Sequence, residues 1–465
     1  PTFIDNRLNE LGATRLFARG EADAKNDFFG DFDRWYEPIW NQLGNYFNLS
    51  VNTDASTHYS VEFVTDTRAK FLGETEMQEG IIIANKELVN MTAPNARSKR
   101  HIEIALPQGM NYTAGDYLKI IPINNREKVD KILSQFHLDY DTQIVINTDK
   151  AHTHFPTGLP ISVGELLSNY VELNSVATLK QIKTLVGYTQ CPPEKIRLEQ
   201  LTNDEVYKKE VLAKRMSLAD ILQLNPACTV PLEVLLEMLP ALKSRQYSIS
   251  SSPLWNEKHC TLTIAVVNEP AFSGIGNYTG TASTYLANIK AGSKVLVQVK
   301  KSDEAFHLPP NATQPIIMIC AGSGLAPFRG FIQERALQKK NGVNVGESLL
   351  FFGCDARDVD FLYQEELQEY ENLGVVAIKP AFSITQEQGI AFVQHRVWQD
   401  KEEIKKLFQQ GATIYLCGDG KYMAPAVRET LIKIYAEIID CDFETASQRW
   451  LQEVEQKHRF VVDIF

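Results

Sequence analysis

From about Gln314 to the C-terminus one rhythm repeats, and it limits the possible fold more than any other feature. Apolar runs at 315–320, 348–354, 374–380 and 412–417 alternate with longer stretches of helical periodicity. A short run without polar alternation expects burial on both faces, and such strands separated by helices make a parallel sheet covered on both sides. The first run ends in Gly322-Ser323-Gly324 and the last in Cys417-Gly418-Asp419-Gly420. Open α/β sheets receive ligands at the carboxyl ends of their strands. Gly322-Ser323-Gly324 is nevertheless a bare G-x-G, weaker than the full dinucleotide fingerprint.

Upstream the period is two. Alternation starts at Tyr59 with Val61 and Phe63, continues through His101 to Leu106, and adds a turn and strand over Gly115 to Leu118. It resumes at Arg245, from Cys260 to Val267 and from Lys294 to Val299. These segments read as an antiparallel barrel, with its first part over 51–124 and the rest over 236–312. The insertion at 125–235 is helical in pattern, with helices expected over Ser162–Leu173, Leu179–Val186 and Asp204–Leu222. Residues 1–50 are acidic and aromatic. They carry an amphipathic helix over Asp31–Phe47 and lead into a polar linker from Asn48 to Ser60.

Arg245-Gln246-Tyr247-Ser248-Ile249-Ser250-Ser251-Ser252-Pro253 stands out within the barrel. Strand alternation puts Arg245, Tyr247 and Ile249 on one face. A cation, an aromatic and a hydroxyl in that arrangement can hold a planar ring together with a phosphate. An ordinary half-buried strand ending in a serine turn would read the same way.

The net charge of −11 argues against nucleic acid as a partner, because phosphate binding needs a basic surface. Seven cysteines without a C-x-x-C pair suggest a reducing, cytoplasmic setting and no metal site. His152 and His154 read as surface residues. No apolar run approaches the roughly 20 residues that span a bilayer, and no signal peptide is visible.

In chain order, six segments together resemble the ferredoxin–NADP reductase superfamily. They are Arg245–Pro253, Gly280-Thr281-Ala282-Ser283 before Tyr285-Leu286, Ala321–Arg329, Phe351–Cys354 leading to Tyr363–Leu367, Tyr415–Gly420 and Asp463-Ile464-Phe465. More narrowly they resemble the diflavin reductases, nearest to the reductase part of bacterial self-sufficient cytochrome P-450 fatty-acid monooxygenases. The resemblance implies an FAD-binding β-barrel with a helical connecting insertion, and a doubly wound nucleotide-binding domain over 313–465. It also implies hydride transfer from NADH or NADPH to FAD. Single electrons would then pass to FMN on a flavodoxin-like domain and on to a haem domain, both upstream on the same polypeptide. Residues 1–50 would be the end of that FMN domain, whose own FMN loops are absent from this chain. Three other readings compete: an NADPH-specific diflavin reductase of the same family, a two-component ferredoxin reductase-like enzyme, and a docking module that kept the fold without activity.

Residue by residue, the resemblance places FAD against Arg245, Tyr247 and Ser248, beside Ile264, Ala265 and Val266 and near Arg100. The FAD pyrophosphate would sit on Gly280, Thr281, Ala282 and Ser283, ahead of a helix expected over Thr284–Ile289. Gly322, Ser323 and Gly324 would take the dinucleotide pyrophosphate; the family has threonine at the Ser323 position. Ser248, Cys417 and Asp463 would surround the reacting atoms. Taken alone, Cys417 is as well explained as a packed thiol and Asp463 as a solvated charge. Phe465 stands where the family usually has a tryptophan that stacks on the flavin. The 2′-phosphate contacts depart furthest. Ser383 is kept, but the family arginine is Ile384, the lysine Ile390 and the tyrosine Phe392; Gln394 follows, and a further arginine is Asp355. A carboxylate there suits an unphosphorylated ribose, so NADH is expected to serve at least as well as NADPH.

Overall fold

The computed structural model describes residues 2–23, 27–48, 77–149, 153–303 and 305–465, and the backbone of 59–64. The polar linker at 49–58 and His152 lie outside these. The chain divides into two compact units: Pro1–Glu74 with Ile123–Lys243 and Asn268–Thr281, and Thr75–Pro122 with Ser244–Val267 and Ala282–Phe465. Among the described residues no helix is long and apolar enough to cross a membrane.

The first unit is mainly helical. Leu166, Leu167, Ile182, Leu185, Leu198, Val211 and Ile221 are among its buried core residues. A three-stranded sheet joins β1 (Tyr59–Val64), β5 (Gln143–Thr148) and β6 (Pro160–Ser162), and β9 (Asn268–Pro270) pairs with β10 (Asn277–Thr279). The first expected barrel strand is thus corrected. β1 runs antiparallel to β5, with Val61 opposite Ile146 and Phe63 opposite Ile144, in a sheet separate from the barrel. The helix expected over Asp204–Leu222 is broken into Asp204–Tyr207, a π-turn at Lys208–Leu212 and Leu218–Leu224. Arg215 at φ 50° ends the first part, and a capping box on Ser217 and Asp220 starts the last. The helix expected over Asp31–Phe47 begins at Phe28, capped by Asp27, and buries only Gly30 and Gly44.

The second unit holds two sheets. The antiparallel one has the order β7 (Arg245–Ser248), β4 (Tyr117–Ile120), β11 (Lys294–Lys300), β2 (Gln78–Glu87), β3 (Lys99–Ala105), β8 (His259–Ala265). Its two edges meet through an Ile249–Leu262 bridge and a hydrogen bond from the Ser250 N–H to the Thr261 carbonyl, which curls the sheet into a barrel. Ile82, Ile102, Ile104, Leu118, Ile120, Leu262, Ile264 and Val297 fill its interior.

The other sheet is entirely parallel. Its order is β14 (Ala377–Phe382), β13 (Ser348–Cys354), β12 (Ile316–Ala321), β15 (Thr413–Gly418), β16 (Phe460–Ile464). Alternate residues of the same strands serve two cores. Ile317, Ile319, Phe351 and Leu416 pack on one side, and Met318, Cys320, Phe352 and Cys417 on the other. That is the doubly wound arrangement expected from the uninterrupted apolar runs. The strand order reverses between β12 and β15, where Gly322–Gly324 and Cys417-Gly418 lie side by side. A Cβ on Gly324 would stand 2.4 Å from the Cys417 carbonyl oxygen, so only glycine allows this approach.

Candidate active site

Four side chains meet where barrel and parallel sheet come together within the second unit. They come from two cross-strand pairs: Tyr117 opposite Ser248 on β4 and β7, and Cys417 opposite Asp463 on β15 and β16. Ser248 Oγ donates to Asp463 Oδ2 at 2.9 Å, and Tyr117 Oη donates to Asp463 Oδ1 at 2.8 Å. Cys417 Sγ lies 3.8 Å from Asp463 Oδ2. Burial, reinforced by the negative charge of Asp463, pushes the Cys417 thiol well above its usual range. That shift favours the protonated thiol, placed to donate to Asp463. The three residues expected from the sequence converge. Tyr117 joins them without having been anticipated; its signal is the register opposite Ser248, which needs the strand pairing to be known.

The chain end is fixed beside this cluster. The Phe465 N–H donates to the Gly418 carbonyl at 3.2 Å, and the Gly420 N–H to the Phe465 carbonyl at 3.4 Å. The Phe465 ring remains 73% exposed, open to stack on a planar ligand.

Arg245, Tyr247 and Ser248 occupy β7, and Tyr247 packs on the barrel core. Ile264 is buried and Ala265 exposed at the end of β8, and Val266 follows, its N–H bonded to the Ser98 carbonyl. Arg100 pairs across from Ile264. Its Nε donates to Asn85 Oδ1 at 2.6 Å and its Nη1 to Glu87 Oε2 at 3.3 Å. Asn85 in turn donates to the Leu286 and Ile289 carbonyls, closing the far end of a helix. That helix spans Thr281–Asn288, three residues earlier than expected, so Thr281, Ala282 and Ser283 form its first turn and Gly280 precedes it. Ser283 Oγ accepts from the Val267 N–H at 3.1 Å, and Thr281 Oγ1 accepts from Asn174 at 2.9 Å. Thr284 Oγ1, one residue on, is shut from solvent and has no hydrogen-bond partner among the described residues. An orphan hydroxyl in the first turns of a helix, together with helix-end N–H groups, suits a phosphate oxygen. The donor set therefore fits FAD.

At the dinucleotide turn Gly322 adopts φ 55°, and Gly322–Gly324 form a short 3-10 turn leading into the helix Leu325–Lys340. Ser323 is half-buried there. The buried Lys99 passes 3.5 Å from the Cβ position of Gly322 and pairs with Asp360 at 2.9 Å.

The residues expected at the adenosine corner lie at and beyond the ends of β13 and β14. Asp355 Oδ1 accepts from the Ser383 hydroxyl at 2.9 Å, and Oδ2 from Arg97 at 3.1 Å. Partial burial raises the Asp355 pKa, but the bonds from Arg97 and Ser383 outweigh it and hold the carboxyl below the usual range. Ile384 and Phe392 are 66% and 54% exposed, and Gln394 is half-buried. Ile390 is buried, so its side chain faces the core and not a ligand. The sequence placed it at the nucleotide because motif spacing carries no burial.

Residues 78–285 match the FAD binding domain family, and residues 318–429 match the oxidoreductase NAD-binding domain family. With the barrel, the parallel sheet and the Ser248–Cys417–Asp463 cluster, these define an FAD- and NAD(P)-dependent flavoprotein oxidoreductase. Over its whole length the chain is similar to cytochrome P450–reductase fusion proteins. It is 38% identical over its whole length to a bifunctional cytochrome P450/NADPH–P450 reductase of Bacillus cereus, and 39% identical to another of Bacillus subtilis. A self-sufficient cytochrome P450 monooxygenase of Phanerodontia chrysosporium is 42% identical, again over the whole chain. In all three cases the chain spans 44% of the relative's length.

Proposed function

We propose that this chain oxidises NADH at least as readily as NADPH and delivers the electrons through an FMN-bearing flavodoxin-like domain to a cytochrome P-450 haem. When bound, FAD accepts a hydride and releases electrons singly. The chain's own residues orient the reactants. Asp463 sets a carboxylate where positive charge grows as a hydride leaves a nicotinamide ring. Ser248 and the protonated Cys417 hold that carboxylate from two sides. Phe465 covers the ring face until a nicotinamide displaces it.

The observation that carries the nucleotide preference is the corner built on Asp355. A carboxylate held by Ser383 suits two ribose hydroxyls and repels a 2′-phosphate. The three cations considered as stand-ins for the missing arginine and lysine are already engaged: Arg357 with Glu387 at 3.2 Å, Lys379 with Glu403 at 2.6 Å, and Arg396 with Asp400. Arg97, the cation nearest the corner, is bound to Asp355 itself. Each lost charge-assisted contact is worth roughly 1.5–3 kcal/mol. Two of them amount to about 3–6 kcal/mol, on the order of a hundred- to ten-thousand-fold in affinity. Steady-state ferricyanide reduction with each nucleotide tests this, and a strong NADPH preference would end it.

The electron path rests on the two Bacillus relatives, whose names join a cytochrome P450 to an NADPH–P450 reductase and whose remaining length this chain does not cover. Mixing the FAD-loaded chain with a separately produced FMN domain of such a relative should restore electron flow to a haem protein. Absence of transfer at high concentration would count against this path.

A further inference from the structure

We infer that Tyr117 is a positioning residue for hydride transfer, a fourth member of the Ser248–Cys417–Asp463 cluster; this rests on the oxidoreductase reading above. The carboxylate of Asp463 has two oxygens with separate duties. Oδ2 faces Ser248 Oγ at 2.9 Å and Cys417 Sγ at 3.8 Å. Oδ1 is taken by Tyr117 Oη at 2.8 Å. A carboxylate on a single strand can turn about its last side-chain torsion, which is broad and shallow. With Oδ1 held from β4, the plane of the group is set and Oδ2 stays aimed at the hydroxyl and the thiol.

The strand geometry makes this a rigid clamp. Tyr117 is directly opposite Ser248 in the barrel, and Asp463 is directly opposite Cys417 in the parallel sheet. One carboxylate thus joins two cross-strand pairs from different sheets. β16 is an edge strand, bonded to β15 alone, and it carries both Asp463 and the run to Phe465. The Tyr117 bond is a side-chain tie from the barrel to that edge. Burial and then the charge of Asp463 push the Tyr117 phenol up, so it remains a donor throughout the working pH range.

The role is tested with Tyr117→Phe, which keeps the ring and removes only the donor. Flavin reduction by saturating NADH, followed by stopped flow, should slow about tenfold while the FAD content stays full. The deuterium effect with 4-deuterated NADH should rise, because the hydride step itself becomes limiting. In an Asp463→Asn background the same change should add little, since the clamp has then lost its charged partner. Amide exchange of the chain as purified gives a readout independent of turnover: protection over residues 461–465 should drop in Tyr117→Phe. Unchanged reduction rates, fully additive losses in the double variant, or unchanged exchange at the chain end would each overturn the inference. If the unmutated, FAD-loaded chain is reduced by neither nucleotide, the proposed activity falls, and the exchange measurement still decides the clamp.

Discussion

Cys417 and Asp463 do different work although their side chains nearly touch. Cys417→Ala removes a protonated donor, and Asp463→Asn removes the charge. Each should slow flavin reduction about tenfold or more, roughly 1.4 kcal/mol of barrier per factor of ten, with FAD still bound. Stopped-flow reduction at the unmutated rate in both would show that the reacting atoms lie elsewhere. At the adenosine corner the exposed Ile384 is the position to change. Ile384→Arg should move preference towards NADPH, read as the ratio of kcat/KM for the two nucleotides. Adding Ile390→Lys would instead bury a charge at a site only 5% exposed, and should lower the melting temperature without further gain in NADPH use. Ser248, Cys417 and Asp463 were legible because each sits in a short motif whose chemistry is local. Tyr117 was not, because an aromatic in a strand is ordinary until its partner strand is known. Ile390 was misplaced for the converse reason: the motif spacing is kept while the side chain has turned inward.

Among the elements, the parallel strands were the most legible, since a run such as Ile316–Cys320 fits little else than burial on both faces. The strand expected to start at 374 begins at Ala377, after Gly374 at φ 64°. β16 went unread because Phe460–Ile464 is short and its apolar run is broken by Asp463. β1 has the right period but the wrong partner, and alternation alone says nothing about pairing. The breaks near Arg215 turn on one left-handed residue and one capping box, signals too local to interrupt a long amphipathic pattern. Where β3 and β8 meet the nucleotide-binding sheet, His101 Nδ1 and Thr263 Oγ1 share the Tyr363 hydroxyl at 2.9 and 2.7 Å. Burial, with smaller effects of Arg329 and Lys86, lowers the His101 pKa from 6.5 to about 4. Between these values the unfolded chain binds the proton that the folded one refuses. Stability from this group is therefore complete above pH 6.5 and lost as pH falls towards 4, on the order of 3 kcal/mol in all. His101→Gln should flatten the melting temperature between pH 4.5 and 6.5; an unchanged acid slope would reassign it to the carboxylates.

At the scale of the whole molecule, one unit carries every side chain proposed for catalysis, while the other holds a helical core and an N-terminal segment with little to bury. The helix Phe28–Phe47 exposes Phe28, Phe29, Phe32, Tyr36, Trp40, Tyr46 and Phe47. Seven aromatic side chains on one exposed helix are more than a solvated surface helix needs. Such a face suits packing against further protein surface, and the chain spans 44% of the length of the Bacillus cereus relative. The residues expected to hold FAD are present on the barrel, and the family resemblance places FMN on a separate domain. The chain should therefore retain about one FAD and no FMN after purification. Its acceptors should divide by size. Ferricyanide is small enough to meet a flavin edge beside Phe465, so its reduction should be fast with either competent nucleotide. Cytochrome c is a protein and needs its haem edge brought close, which the proposed FMN-bearing domain would do; its reduction should be slower by about a hundredfold or more, since rates at a misplaced site commonly fall that far. Stoichiometric FMN in an acid extract, or cytochrome c reduction as fast as ferricyanide reduction, would mean that this chain completes the electron path on its own.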